Sequence, residues 1–101
     1  MSHIFYGTIV SKISGHFFEN PDHIAMITNN MDGDSHAIWT TCTEASKVFH
    51  DLIGIIDDIE IDWELAVEAY SEAILNQLII GDRPNNLNFI AIASTVFQDC
   101  Q

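Results

Sequence analysis

One stretch of the sequence stands out in both its charge and its hydrophobic periodicity: it reads DDIEIDWELAVEAYSEAILNQLII and covers residues 57–80. It contains seven of the fifteen acidic residues of the chain: Asp57, Asp58, Glu60, Asp62, Glu64, Glu68 and Glu72. No Lys or Arg lies between Lys47 and Arg83 to neutralise these carboxylates from nearby in the sequence. The stretch therefore decides how the C-terminal half folds and which sign of charge its surface carries.

Within this stretch, apolar side chains recur at the spacing of a helix. They follow one another at intervals of four, three, four and four residues, as a buried face requires: Trp63, Val67, Tyr70, Ile74 and Leu78. Asp62, just before them, is a suitable N-cap. Gly81 and Pro84, just after them, are of the types that commonly end a helix. The pattern predicts a helix between Asp62 and Gly81 with one buried face.

The opposite face of the same predicted helix is acidic. Glu64, Glu68 and Glu72 recur every four residues, and like charges at this spacing destabilise a helix by roughly 0.2–0.5 kcal/mol per pair. Leu75 and Ile79 continue this face beyond the last glutamate. An acidic strip that leads into an apolar patch is typical of a protein-binding surface. The alternative is a solvated charged face on which the C-terminal helix covers Leu75 and Ile79.

Further carboxylates precede the helix and extend the acidic strip. Four residues of helix rise about 6 Å, so carboxylates at that step could imitate the regularly spaced phosphates of a nucleic-acid strand. An acidic protein of this kind would occupy a basic nucleic-acid channel. The predicted partner-binding surface consists of Asp57, Asp58, Glu60, Glu64, Glu68, Glu72, Leu75 and Ile79.

The N-terminal half has the composition of strands. Residues 4–13, 23–28 and 35–41 are rich in β-branched and aromatic side chains, which favours three strands. Residues 29–34, NNMDGD, are dense in types that tolerate left-handed conformations, and they predict a hairpin turn. This half is therefore predicted to form an antiparallel β-meander.

Two further helices are predicted after Cys42. The first has Thr43 as its expected N-cap and ends near Ile56. It turns one apolar face to the core: Ala45, Val48, Phe49, Leu52 and Ile56. Residues 86–100 fit either a buried strand at 89–93 or a helix capped by Asn85 or Asn86, and the helix is favoured because its apolar residues share one arc. The predicted fold is one α+β domain, in which an N-terminal antiparallel β-meander of about three strands precedes three helices.

Charge and hydropathy restrict the class of partner. Fifteen acidic residues against three basic ones give a net charge of −12, which repels nucleic acid and anionic membranes and attracts basic proteins. No apolar stretch approaches the ~18 residues of a membrane span, and the N-terminus lacks the pattern of a signal peptide. We expect a cytoplasmic protein that contacts neither nucleic acid nor membrane directly. Cys42 and Cys100 are expected to stay reduced, with a disulfide between them as the alternative.

Residues that could carry chemistry are scattered along the chain. The five histidines show no metal-binding spacing, although His23 and His36 could meet across the predicted hairpin and hold a metal with Cys42 or Asp22. The turn at residues 30–34 resembles the first half of a calcium loop but lacks the glycine and the glutamate that complete one. No motif sets a nucleophile beside a base. We therefore expect a non-enzymatic protein with neither a metal nor a cofactor.

In size, charge and lack of catalytic motifs, the chain resembles the small acidic inhibitors of phage–host and toxin conflicts, namely anti-CRISPR proteins and nuclease-immunity proteins. The resemblance implies an inhibitor that binds a basic nucleic-acid-binding protein or nuclease and blocks its nucleic-acid site. An immunity protein that neutralises a cytotoxic nuclease is the alternative that uses the same physics. An assembly or adaptor subunit that self-associates, for example as a homodimer, is the alternative of another class.

Overall fold

The described part of the chain is helical. The computed structural model describes residues 11, 12, 15, 21–56 and 60–101, and over these residues it contains helices and no strand. Within residues 21–56 and 60–101, four helices follow one another: α1 (Pro21–Asn30), α2 (Ser35–Ile55), α3 (Trp63–Ile79) and α4 (Asn86–Asp99). Ser11, Lys12 and Gly15 also have helical backbone. Within these ranges no helix is both long enough and apolar enough to cross a membrane.

The predicted α+β fold with its β-meander is wrong. The predicted strand at 23–28 lies inside α1, and the predicted strand at 35–41 forms the first turns of α2. Of the predicted strand at 4–13, Ser11 and Lys12 are helical, and the other positions lie outside the described residues. β-branched content, which suggested the strands, is compatible with a helix wherever packing and capping favour one.

Both misassigned segments begin with a helix-start signal. Pro21 is the first residue of α1, where its fixed φ suits the helix and its missing N–H leaves no helical bond unmade. Asp34 caps α2, because its carboxylate accepts the N–H of Ala37 at 3.1 Å. α2 thus begins well before the predicted N-cap Thr43, whose hydroxyl donates instead to the carbonyl of Trp39 at 3.0 Å.

The turn predicted at residues 29–34 is confirmed, although it joins two helices rather than two strands. Asp32 and Gly33 both have positive φ, at 56° and 74°. The N–H of Gly33 donates to the carbonyl of Thr28 at 2.6 Å and satisfies one of the free carbonyls at the end of α1. The turn leads directly into α2, which packs beside α1.

The helical predictions for the C-terminal half are confirmed. The predicted apolar stripe of α3 is buried, apart from a half-buried Trp63 at its start. α4 occupies the segment that fitted either a strand or a helix. Asn85 and Asn88 close a capping box at its start, since each side chain accepts the backbone N–H of the other, at 3.0 and 2.9 Å. The predicted arc of α4 is buried or half-buried: Phe89, Ile92, Ala93, Val96, Phe97 and Cys100.

An aromatic cluster joins α2, α3 and α4. Tyr70 on α3 is fully buried, and its hydroxyl donates to the carbonyl of Ala45 on α2 at 2.7 Å. Its ring centroid lies 4.5 Å from that of Phe49, which lies 5.1 Å from that of Phe97 on α4. Trp63 meets Phe97 edge-on with centroids 5.7 Å apart. We call these four rings the aromatic cluster; their contacts hold three helices against one another.

α1 packs against α3 as well as α2. Ile27 is its buried residue and joins the hydrophobic core. The side chain of Asn30, at the end of α1, donates from Nδ2 to the carbonyl of Ile79 at 2.7 Å. Because Ile79 is the last residue of α3, this bond ties the ends of the two helices together and satisfies a carbonyl that α3 itself leaves free.

α3 ends in a Schellman motif at Gly81. The φ of Gly81 is 86°, a left-handed backbone conformation that residues with a side chain rarely adopt. Its N–H donates to the carbonyl of Leu78 at 3.1 Å, and the N–H of Asp82 donates to the carbonyl of Gln77 at 2.9 Å. The predicted stop at Gly81 is thereby confirmed.

Replacing Tyr70 by phenylalanine tests the buried hydrogen bond. At neutral pH we expect Tyr70→Phe to lower the free energy of unfolding by about 1 kcal/mol, because the bond to Ala45 is lost. Burial raises the pKa of Tyr70 well above its usual range, so the folded protein keeps a proton that the unfolded chain loses above a pH of about 10. The unfolded state then binds fewer protons, and wild-type stability falls as the pH rises.

Urea denaturation at neutral pH and at several alkaline values measures both effects. Above a pH of about 10, the stability advantage of the wild type over Tyr70→Phe should shrink by up to about 1.4 kcal/mol per pH unit, since the variant has no hydroxyl to ionise. An advantage that stays constant over this range would contradict the burial of the Tyr70 hydroxyl.

Gly81 and Gly54 provide a matched pair for testing the end of α3. Gly81→Ala should lower the free energy of unfolding by about 1–2 kcal/mol, because alanine disfavours the left-handed φ. Space is not the reason, since the added Cβ would lie 3.6 Å from Asn30 Cγ, an ordinary contact. Gly54→Ala, within α2 and with nothing within 4 Å of the added Cβ, should raise stability by up to about 1 kcal/mol. Thermal or urea denaturation that gave both changes the same sign would refute the proposed role of Gly81.

Candidate protein-binding surface

The start of α3 is fixed by Asp62. Its carboxylate accepts the N–H of Leu65 at 3.2 Å, which confirms the predicted N-cap. Its own N–H donates to the carbonyl of Cys100 at 3.1 Å. The start of α3 therefore lies beside the end of α4. Asp62 holds the first turn of the helix that carries the predicted surface.

The glutamates of α3 share one side of the helix. Glu64 and Glu72 are exposed, and Glu68 between them is half-buried. Glu60, also exposed, precedes the helix. Of the other predicted acidic contacts, Asp57 and Asp58 lie outside the described residues. We call Glu60, Glu64, Glu68 and Glu72 the acidic face.

A base from the N-terminal part of the chain reaches this face. Lys12 Nζ lies 2.9 Å from Glu68 Oε1, and both side chains remain about half exposed. The hydrogen bond and the charge of Glu68 raise the pKa of Lys12, and the charge of Glu64 adds to the rise. The sequence showed no base near these glutamates, because Lys12 is far away along the chain. An exposed pair of this kind is readily screened and exchanged.

The predicted apolar end of the surface is not exposed. Leu75 is only 6% exposed and belongs to the hydrophobic core, so the expectation of an outward Leu75 is wrong. Ile79 is half-buried and packs against the same core. α3 has neighbours in both α1 and α4, so its buried arc is wider than the single predicted stripe. Its buried residues are Ala66, Val67, Tyr70, Ser71, Ile74, Leu75 and Leu78.

Leu65 is the exposed apolar residue of this surface, whereas the sequence predicted Leu75 and Ile79 for that role. Its side chain is 53% exposed. It lines a shallow depression of about 390 Å³ together with Lys12, Asp62, Glu64 and Glu68. An exposed leucine among carboxylates fits an incoming Lys or Arg, whose aliphatic stem can pack on the leucine while its charged end meets a carboxylate. In the sequence, Leu65 stands beside Glu64 and does not belong to the predicted buried stripe. This position could have indicated that its side chain is exposed.

A second cleft, of about 410 Å³, lies between the α1–α2 turn and the end of α3. Its polar lining consists of Asn30, Asp32, Asp34, Asp82 and Arg83. It includes the turn that resembles half of a calcium loop. Among the residues that the structure describes, no three His, Cys, Asp or Glu side chains are placed to hold a metal ion.

The hairpin on which the hypothetical histidine site depended does not exist. His23 lies on α1 and is half-buried, whereas His36 is exposed near the start of α2. Cys42 and Cys100 are both buried, and no disulfide joins them. Burial in apolar surroundings, with the charges of Asp62 and Asp99 nearby, raises the pKa of Cys100.

Comparison with known proteins gives no relative: no family model, no curated protein and no solved structure matches this chain.

Two substitutions of Asp62 separate its role in capping from its charge. Asp62→Ala should lower the free energy of unfolding by about 1 kcal/mol, because the N–H of Leu65 loses its acceptor. Asp62→Asn should leave stability nearly unchanged, since asparagine caps a helix about as well as aspartate does. Urea denaturation of both variants makes the comparison. If Asp62→Asn cost as much as Asp62→Ala, the charge rather than the hydrogen bond would be the stabilising feature.

Proposed function

We propose that this protein is a non-enzymatic inhibitor that binds a basic nucleic-acid-handling protein and occupies its nucleic-acid site. The exposure of its negative charge carries the proposal. Twelve acidic residues are described, and eleven of them are exposed, with Glu68 alone half-buried. The chain has only three basic residues to oppose them, and one of these, Lys12, is engaged with Glu68.

The geometry of α3 supports a specific contact rather than a diffuse attraction. Glu64, Glu68 and Glu72 repeat at a rise of about 6 Å on a rigid helix. Phosphates of a nucleic-acid strand recur at ~3.4 Å along its axis, so the glutamates correspond to roughly every second phosphate. Leu65, one of the residues that line the depression, gives the aliphatic part of a partner's Lys or Arg an apolar surface. A basic groove that binds a phosphate backbone could therefore also bind these carboxylates and the exposed side chain of Leu65.

The same surface serves two kinds of target. A defence nuclease of a bacterial host and a cytotoxic nuclease both present a basic groove for nucleic acid, and blocking either requires the same charge complementarity. The first target corresponds to an anti-CRISPR type of inhibitor and the second to an immunity protein. In both cases we place the encounter in the cytoplasm.

The test compares two double variants that remove the same amount of charge. Glu64→Gln/Glu72→Gln neutralises the acidic face, and Glu44→Gln/Asp51→Asn neutralises two exposed carboxylates on α2, where Lys47 lies between them. The immobilised wild type is first used to capture basic proteins from a native-host lysate at about 50 mM and about 500 mM salt. The captured protein is then purified, and its affinity for each variant is measured.

We expect the acidic-face variant to bind the captured protein about tenfold more weakly or worse, and the α2 variant to bind within about threefold of the wild type. Duplex DNA or structured RNA added as a competitor should displace the wild type. Equal losses for the two variants would reject this surface. A captured protein that binds nucleic acid and this chain at the same time would reject the proposed mechanism.

A further inference from the structure

A basic side chain of the protein itself already lies in the depression on the acidic face. Lys12 lines this depression together with Asp62, Glu64, Leu65 and Glu68. Its Nζ donates to Glu68 Oε1 at 2.9 Å, although the two residues are 56 positions apart in the sequence. An ammonium group on an aliphatic stem is also the kind of group that the acidic face would bind in a basic partner. The structure therefore shows one such group at the depression.

The charges of the acidic face favour this ammonium group. The hydrogen bond to Glu68 and the charge of Glu68 raise the pKa of Lys12, and the charge of Glu64 adds to the rise. Glu64 and Glu68 thus both act on the same cation, and Glu68 also accepts its hydrogen bond. A second base that approached Glu68 would meet the positive charge of Lys12 and would compete with it for the same carboxylate.

The contact between Lys12 and Glu68 can open while the helices stay folded. Both side chains are about half exposed, so water or another base can replace either partner. The lysine side chain is a flexible stem, and rotation about its own bonds is enough to move the ammonium group away from Glu68. Neither residue belongs to the hydrophobic core. Exchange of Lys12 for another base therefore leaves the packing of α3 unchanged.

We propose that Lys12 is an internal competitor for the acidic face. Its ammonium group occupies the place at Glu68 that a Lys or Arg of the basic partner takes in the complex, and the partner binds by displacing it. This inference rests on the proposed function and deepens it, because it identifies the group that the partner contributes to the depression and the contact that must open first.

Such a competitor makes the acidic face selective for a dense array of bases. One isolated Lys on a protein surface gains little at Glu68, because the ion pair that it forms replaces an equivalent one. A groove with several basic side chains also pairs with Glu64 and Glu72, and these additional contacts are not offset by the loss of Lys12. Lys12 therefore disfavours ordinary proteins with single exposed lysines and leaves a nucleic-acid groove as the better target.

Lys12→Gln and Lys47→Gln form a matched pair for the test. Each removes one positive charge and changes the net charge from −12 to −13. Lys47 is exposed on α2 and lines a different depression, with Glu44 and Asp51, that shares no residue with the acidic face. If only the total charge mattered, both variants would bind a basic probe equally well. Competition at Glu68 predicts a gain in affinity for Lys12→Gln alone.

The probe is a deca-arginine peptide, and isothermal titration calorimetry at about 50 mM salt measures its affinity for the full-length variants. Lys12→Gln should bind it about threefold more tightly than the wild type, since the competing contact is an exposed ion pair of modest strength. Lys47→Gln should stay within about 1.5-fold of the wild type. Lys12→Arg keeps the competing charge and should also bind like the wild type. Equal affinities for Lys12→Gln and Lys47→Gln would overturn the proposal.

A double-mutant cycle with Glu68→Gln tests whether the competition occurs at this carboxylate. In the Glu68→Gln background, Lys12→Gln should give no more gain than Lys47→Gln, because the competitor has lost its acceptor. A threefold gain that persisted in this background would overturn the displacement at Glu68.

The same titrations separate this inference from the proposed function. Glu64→Gln/Glu72→Gln should bind deca-arginine more weakly than Glu44→Gln/Asp51→Asn whether or not Lys12 competes. If that difference is seen while Lys12→Gln and Lys47→Gln bind equally, the acidic face stands as a binding surface and the role of Lys12 is rejected. If the two carboxylate variants bind equally, the acidic face is rejected and the inference about Lys12 is rejected with it.

Discussion

The hydrogen bond from the Tyr70 hydroxyl to the Ala45 carbonyl is the contact on which the arrangement of the helices depends. A hydroxyl buried without an acceptor costs about 1–3 kcal/mol, so α3 can sit on α2 only where Tyr70 reaches a free lone pair of the backbone. The bond forms at Ala45, and the Tyr70 ring meets Phe49 one turn further along α2. These two contacts turn the Tyr70 side of α3 towards α2. On the same helix Ile74 is buried, whereas Glu64 and Glu72 are exposed.

The sequence predicted the C-terminal half because two independent signals agreed there. In α3, the helical spacing of apolar residues coincided with an aspartate cap at Asp62 and a glycine stop at Gly81. In α4, the spacing coincided with a possible asparagine cap at Asn85 or Asn86, and in the structure Asn85 is the cap. Each signal is weak alone, but caps and periodicity that point to the same boundaries leave few competing structures. This agreement explains why the ambiguity between strand and helix at residues 86–100 was resolved correctly.

Composition alone predicts strands for the N-terminal half, because it leaves out the position of each residue relative to the helix caps. Isoleucine, threonine and tryptophan in 23–28 and 35–41 suggested strands, yet Ile27 and Ile38 are core residues of helices. Thr41, an unfavourable residue for a helix interior, is buried and donates to the carbonyl of Ala37, so its hydroxyl is satisfied. The helical pattern after Cys42 could have been traced back through Ala37 and Ile38, and Asp34 then marks its start. The β-propensity of a residue reflects the packing around its side chain more than an intrinsic preference of its backbone. In this protein that packing is between helices.

The candidate surface was predicted only where local periodicity determines exposure. Glu64 and Glu72 are outward as expected, because positions on one helix fix their direction. The pairing of Lys12 with Glu68 and the burial of Leu75 depend on which elements come together in three dimensions, and a helical projection contains no such information. The exposure of Leu65 depends on the same packing, because neighbours of α3 decide which side of the buried stripe remains open.

The uneven distribution of charge divides the surface of the molecule into regions that respond differently to salt. The net charge is −12, yet residues 86–98 on α4 contain no charged side chain. At physiological salt, charge interactions extend over a Debye length of about 8 Å, so the field of the acidic face acts on a partner at short range. Added salt screens the attraction between the acidic face and a basic partner and should weaken their binding. A contact made through the uncharged residues of α4 would respond much less to salt, and this difference distinguishes the two surfaces within one protein.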